Sequence, residues 1–117
     1  MRVDNQTIPF DPAGNSADEP LYLLSLLNNE LMSYSWKLAN KEYSIGRSSS
    51  NSVILDDVTV SREHAILTVS DNSPYIKDTN STNGIYVNNE IIQECNLKTG
   101  DKLQIGKYLL LLTEVGK

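Results

Sequence analysis

The chain has 117 residues and a formal net charge of -5. That length favours one domain, able to bury a core without metals or disulfides. The acidic balance, with no Lys/Arg cluster, excludes the basic face that nucleic acid or an anionic membrane surface calls for. A lone cysteine, Cys95, excludes an internal disulfide and fits a reducing, cytoplasmic compartment.

Residues 1–20 hold Pro9, Pro12 and Pro20 together with Asp4, Asp11, Asp18 and Glu19. This composition predicts a flexible, polar and acidic tail. Residues 21–35 then form an N-terminal extension leading into the first strand. Within it, Leu21 to Leu27 is too short to span a bilayer. It follows an acidic rather than a basic stretch, which argues against a signal peptide. Periodicity over so few residues leaves a short helix and an extra strand both open.

From residue 36 to 114 the pattern is short strands separated by turn chemistry. Tyr34 to Leu38 alternates apolar and polar residues. Asn40-Lys41-Glu42 reads as a hairpin-like connection to Tyr43-Ser44-Ile45. Val53-Ile54-Leu55 and His64 to Val69 are the next candidate strands. Asp71 to Pro74 turns into Tyr75-Ile76-Lys77-Asp78. Asn83-Gly84 turns into Ile85-Tyr86-Val87, and Asn88-Asn89 into Glu90-Ile91-Ile92. Thr99-Gly100-Asp101 precedes Lys102 to Ile105, and Gly106-Lys107 precedes Tyr108 to Leu112. Such spacing, without a long amphipathic helix, predicts an all-β sandwich or barrel.

The residue inventory argues against an enzyme. His64 is the only histidine. Ser61 and His64 are three apart in an extended segment, so their side chains point to opposite faces. There is no G-x-S-x-G elbow, and one His with one Cys builds no usual zinc site. Gly100 and Gly106-Lys107 are spaced one residue too far for a phosphate-binding P-loop. Tyr108 also stands where the magnesium-binding Ser/Thr would be. No metal or other cofactor is indicated.

Three inter-strand loops concentrate hydroxyls, amides and arginines: Gly46 to Ser52, Thr59 to His64, and Thr79 to Gly84. In a sandwich such loops gather at the ends, where binding sites form. Arg supplies a planar fork of donors suited to phosphate. Ser and Thr add short donors, and Asn offers both a donor and an acceptor. Taken singly, each residue has a plainer reading. Arg47 fits a strand-end ion pair, Ser61 a turn, Asn83-Gly84 a turn former, and His64 a hydrogen-bonded structural histidine.

In order and approximate spacing, Gly46-Arg47, Ser61-x-x-His64 and Thr82-Asn83-Gly84 resemble the signature of the forkhead-associated (FHA) domain. The run Leu97-x-x-Gly100-Asp101-x-Leu103-x-Ile105-Gly106 agrees. The resemblance covers roughly Trp36 to Leu112. It implies a two-sheet antiparallel β-sandwich that recognises phosphothreonine in extended peptides, with a Ser/Thr kinase or a kinase substrate as partner. Carried over by position, Arg47, Ser61 and Arg62 would contact the phosphate, with Ser48 within reach of it. Thr82 would lie beside the phosphothreonine, and Asn83 would bond the ligand main chain. Gly46, His64 and Gly84 would hold the loops. Thr59 falls in the segment that selects the residue after the phosphothreonine. Some small members of the family bind their own phosphorylated tail, and Thr7 is the only threonine before Thr59. Thr7 is therefore a candidate regulatory phosphosite. The alternatives are a β-sandwich used only for protein–protein assembly, with a degenerate pocket, and a hydrolase, which would need a further base or metal.

Overall fold

Residues 20–27 and 34–115 are described by a computed structural model. Among them there are eleven strands and no helix. They are β1 Tyr22–Leu26, β2 Tyr34–Leu38, β3 Glu42–Gly46, β4 Val53–Ile54, β5 Ala65–Ser70 and β6 Ser73–Asp78. After these come β7 Ile85–Val87, β8 Glu90–Ile92, β9 Glu94–Asn96, β10 Lys102–Ile105 and β11 Tyr108–Glu114. One sheet has the order β2-β1-β11-β10-β7-β8 and the other β4-β3-β5-β6-β9. This is the two-sheet sandwich that the sequence indicates. All the strand pairs are antiparallel except β3 with β4. No helix of the described residues is long and apolar enough to cross a membrane.

Alternation decides which side chains face inward. In β5, Ala65, Leu67 and Val69 are buried, while Ile66, Thr68 and Ser70 are not. In β10, Leu103 and Ile105 are buried and Lys102 and Gln104 exposed. These inward residues meet Leu24, Leu38, Ile45, Ile85, Leu110 and Leu112 in one core. Fully burying each such aliphatic side chain contributes about 1.5–3 kcal/mol.

The turns carry their own chemistry. Asp71 and Asn72 have φ of 53° and 61°, and Asn88 and Asn89 have 50° and 73°. Each pair joins two strands across a two-residue loop, Ser70 to Ser73 and Val87 to Glu90. Positive φ at both central residues is the type I′ geometry, whose twist matches the flanking strands.

The structure settles one alternative that the sequence leaves open and departs from the sequence reading in two places. Leu21 to Leu27, left open between helix and strand, supplies β1, hydrogen-bonded between β2 and β11. Residues 40–42 do not close a hairpin, because β2 and β3 belong to different sheets. There the chain crosses the sandwich, held by the Tyr43 hydroxyl accepting the Ala39 N–H at 2.7 Å. β9, a short polar strand, was not anticipated. Of the tail, only Pro20 is described; residues 1–19, Thr7 among them, lie outside the described residues.

Candidate functional site

β3 ends at Gly46, where the main chain passes very close to the segment after β4. A Cβ at Gly46 would lie 2.3 Å from the Arg62 carbonyl oxygen and 2.8 Å from Asn51 Nδ2. Only glycine fits. That close approach sets up two main-chain hydrogen bonds. Arg47 N–H donates to Ser61 O at 3.0 Å, and Ser48 N–H to Arg62 O at 3.3 Å. The Arg47 loop and the Ser61-Arg62 loop are thus laid side by side.

The side chains follow from this frame. Arg47 folds back so that Nε–H donates to Val60 O at 3.1 Å. A guanidinium has five N–H donors. The remaining four, on the Nη atoms, have no partner among the described residues. Ser61 Oγ accepts the Thr82 N–H at 3.0 Å. An N–H can only donate, so the single Ser61 hydroxyl proton stays available to a second acceptor. The Arg62 side chain is exposed.

His64 joins this pair of loops to a third. Its ring is fully buried. Nδ1 accepts the Ser61 N–H at 3.0 Å, and Nε2 lies 2.8 Å from Gly84 O. The first partner can only donate and the second can only accept. Nδ1 is therefore the bare nitrogen and Nε2 carries the proton. With both ring nitrogens engaged by backbone, His64 cannot serve Ser61 as a base. Gly84 has φ of 80°, and its N–H donates to Ser81 Oγ at 2.9 Å. Ser81 N–H in turn donates to Asp78 Oδ1 at 3.2 Å. The third loop is thereby a closed turn that presents Thr82 and Asn83 to solvent. Asn83 Nδ2 donates to Thr59 O at 2.9 Å, which directs its amide across to the neighbouring loop.

Ser48 and Thr59, expected near the ligand from the sequence, make hydrogen bonds of their own within and between the loops. The Ser48 hydroxyl accepts Ser50 N–H at 3.3 Å and lies 3.1 Å from Ser50 Oγ. The Thr59 hydroxyl donates to Asp57 Oδ2 at 2.6 Å and accepts Lys107 N–H at 2.9 Å.

Two supporting residues escaped the sequence reading. Asn51 is only 8% exposed. Its Nδ2 donates to Ser48 O at 2.9 Å and to Arg62 O at 2.8 Å, stapling the first two loops together. The available signal was an amide two residues before a β-branched run, inside a stretch otherwise made of serines. Asp57 holds the Thr59 N–H and hydroxyl, and Lys107 Nζ lies 3.1 Å from its Oδ1. The Thr59 hydroxyl and amide, then Lys107, lower its pKa to about 2. The available signal was an Asp two residues before a Thr, the spacing of an Asx turn.

Chemically, this end of the sandwich offers guanidinium donors and a hydroxyl proton without partners among the described residues, on a backbone locked by hydrogen bonds. Such an arrangement suits a small, multiply charged oxyanion beside an extended main chain.

A family model described as the FHA domain matches residues 43–106. Glycogen accumulation regulator GarA of Mycobacterium tuberculosis is 44% identical over 68 residues, which is 58% of this chain and 42% of that protein. The chain spans half or less of the length of the curated relatives it matches. The FHA domain of CT664 protein from Chlamydia trachomatis superposes with a TM-score of 0.78 at 28% identity. The match covers 82% of this chain and 99% of that one. An FHA domain solved in a study of phosphothreonine-dependent interactions gives a TM-score of 0.76 at 28% identity, covering 83% and 99%.

Proposed function

The chain belongs to the FHA domain family, and from that premise we propose that it is a phosphothreonine-peptide recognition module, acting as an adaptor or regulator in Ser/Thr kinase signalling. One observation carries the reading: the Arg47 and Ser61 main chains are hydrogen-bonded to each other, while the Nη donors of one and the hydroxyl proton of the other have no acceptor among the described residues.

Phosphothreonine brings about -1.5 to -2 charges and three acceptor oxygens. Arg47, Arg62 and Ser61 would take those oxygens, and Asn83 would bond the ligand main chain beside Thr82. Gly46, His64 and Gly84 would hold the loops in place, with Ser48 and Thr59 at the rim. The module would not be catalytic, since its only histidine has both ring nitrogens engaged by backbone. Its partner would be a phosphothreonine-containing protein, a kinase or a kinase substrate, in the cytoplasm.

The test is calorimetric titration with a phosphothreonine peptide library and the unphosphorylated counterparts. Charge-assisted hydrogen bonds contribute about 1.5–3 kcal/mol each. Arg47→Ala should therefore weaken phosphopeptide binding at least about tenfold, with far weaker binding of unphosphorylated peptide by the parent chain. Equal binding of both peptide forms would overturn the reading. Partner binding that survives Arg47→Ala unchanged would favour an assembly module with a degenerate pocket.

A further inference from the structure

Asn83 is followed by Gly84, the only Asn-Gly step in the chain. Such a step is chemically reactive. The main-chain nitrogen of the following residue attacks the Asn side-chain carbonyl carbon, and glycine has no Cβ to hinder the approach. The new C–N bond closes a succinimide ring. Nδ2 leaves as ammonia, taking up the proton that the Gly84 nitrogen gives up. Water then opens the ring at either carbonyl, leaving aspartate or isoaspartate in place of asparagine. Nothing is oxidised or reduced, and water is the sole co-reactant.

Both reacting groups are tied down in the fold. Gly84 N–H, whose proton has to leave, donates to Ser81 Oγ at 2.9 Å. Ser81 is held in turn by its own N–H, which donates to Oδ1 of the buried Asp78 at 3.2 Å. Asn83 Nδ2, the leaving group, donates to Thr59 O at 2.9 Å. Ring closure has to break both bonds. Thr82 and Asn83 are nevertheless exposed, so opening this turn displaces no core side chain. Local openings of that kind cost far less than unfolding the whole domain.

We propose that Asn83 is a site of spontaneous deamidation: each opening of the Ser81–Gly84 turn exposes it to ring closure, and the Ser81 hydroxyl keeps such openings rare. The product loses the Nδ2 donors that reach Thr59 O, and a carboxylate faces that carbonyl oxygen instead. Isoaspartate also adds a methylene to the main chain, directly before a glycine held at φ 80°. The third loop is thereby uncoupled from the second while the sandwich stays folded. One consequence rests on the phosphothreonine reading above: the ligand main chain loses its partner, and the phosphate meets a like charge. Modification at this one residue would retire the module irreversibly.

The test is to age the chain at mildly alkaline pH, where the Gly84 nitrogen loses its proton more easily, both folded and in urea. Peptide mapping by mass spectrometry reads the amide-to-acid mass gain at each asparagine and separates isoaspartate from aspartate. In urea, Asn83 should convert ahead of Asn72 and Asn80, each of which precedes a serine. In the folded chain it should convert more slowly and give isoaspartate. Ser81→Ala should speed that conversion roughly fivefold, the factor carried by one ordinary hydrogen bond. Ser81→Thr, which keeps a hydroxyl acceptor, should stay near the parental rate. The gain in Ser81→Ala should be confined to Asn83. Asn83→Asp should bind a phosphothreonine peptide at least about tenfold more weakly than the parent chain, since like charges brought together are costly.

Folded Asn83 converting at its urea rate, or Ser81→Ala converting no faster than the parent, would overturn the proposal. So would aspartate without isoaspartate, which means direct hydrolysis with no attack by Gly84. A parallel gain at Asn72 in Ser81→Ala would make Ser81 a support of the whole fold rather than the guard of this turn, and equally sink the idea. Equal phosphopeptide binding by Asn83→Asp and the parent would remove the functional consequence. If the parent binds no phosphopeptide at all, the phosphothreonine reading falls, and deamidation at Asn83 is still decided by the mass measurement.

Discussion

Arg47 uses one guanidinium donor on Val60 O. The constraint matters more than the bond's own strength. A long, rotamer-rich side chain held at one donor loses less freedom when its others engage a ligand. Asn51 does comparable work for the backbone. Its amide closes the gap between the Ser48 and Arg62 carbonyls. Asn51→Ala removes two hydrogen bonds, while Ser48 O keeps the Asn51 N–H and Arg62 O keeps the Ser48 N–H. At about 0.5–1.5 kcal/mol net for each hydrogen bond, the two together contribute about 1–3 kcal/mol. The variant should lose stability in that range by urea unfolding. It should also bind phosphopeptide more weakly, because the Arg47 and Ser61 loops are no longer stapled. Unchanged stability would show that the two carbonyls find water instead. Arg47, Ser61 and Asn83 were legible in the sequence because each sits at a fixed position in an ordered motif. Asn51 and Asp57 were not, since what marks them is burial and partners, and neither can be read from residue type.

At the scale of elements, the loop from Leu55 to Ser61 is held chiefly through Asp57. Its folded pKa is about 2 against an ordinary 3.8, because the Thr59 hydroxyl and amide and then Lys107 favour the charged form. A depressed carboxylate contributes stability above its unfolded pKa and loses it as the pH falls through the folded one. Asp101 acts in the same direction. Burial pushes its carboxyl up, but the Asn88 amide, the Lys98 N–H and the Lys98 ammonium outweigh that and lower it. Unfolding stability should therefore be level at neutral pH and decline as the pH falls from about 4 toward 2. Asp57→Asn should make that decline shallower without removing it, since Asp101 still titrates. Equal slopes for the two proteins in acid denaturation would remove Asp57 from the account.

Strand legibility divides on physical lines. β5, β10 and β11 alternate or run apolar, so their own residues declare them. β9 is Glu94-Cys95-Asn96, and it is a strand only because β6 offers it a ladder. Likewise, Asn40-Lys41-Glu42 has turn chemistry whichever sheet the next strand joins. Burial of Leu38 and Ala39 between the layers makes it a crossover, and local sequence does not encode that choice.

For the molecule as a whole, one core supports everything above. Leu110 is fully buried at the middle of the first sheet. Leu110→Ala should cost about 2–5 kcal/mol, the transfer of the lost atoms plus the cavity left behind. It should lower the midpoint of thermal unfolding without altering which peptides bind. A preserved midpoint would mean that the layers close over the gap.

The register of β1 against β11 has a consequence for how the domain is carried. Tyr22 pairs with Glu114 at one pole, and Leu26 with Leu110 toward the other. Lys107 and Asp57, beside the Thr59 to Ser61 segment, lie at that second pole. Leu21 and Val115, which are hydrogen-bonded to each other, therefore lie at the pole remote from the Arg47 and Ser61 loops. On the phosphopeptide proposal, a neighbour fused at that pole would leave the Arg47 and Ser61 loops open to a ligand. The sandwich behaves as a socket wired from behind.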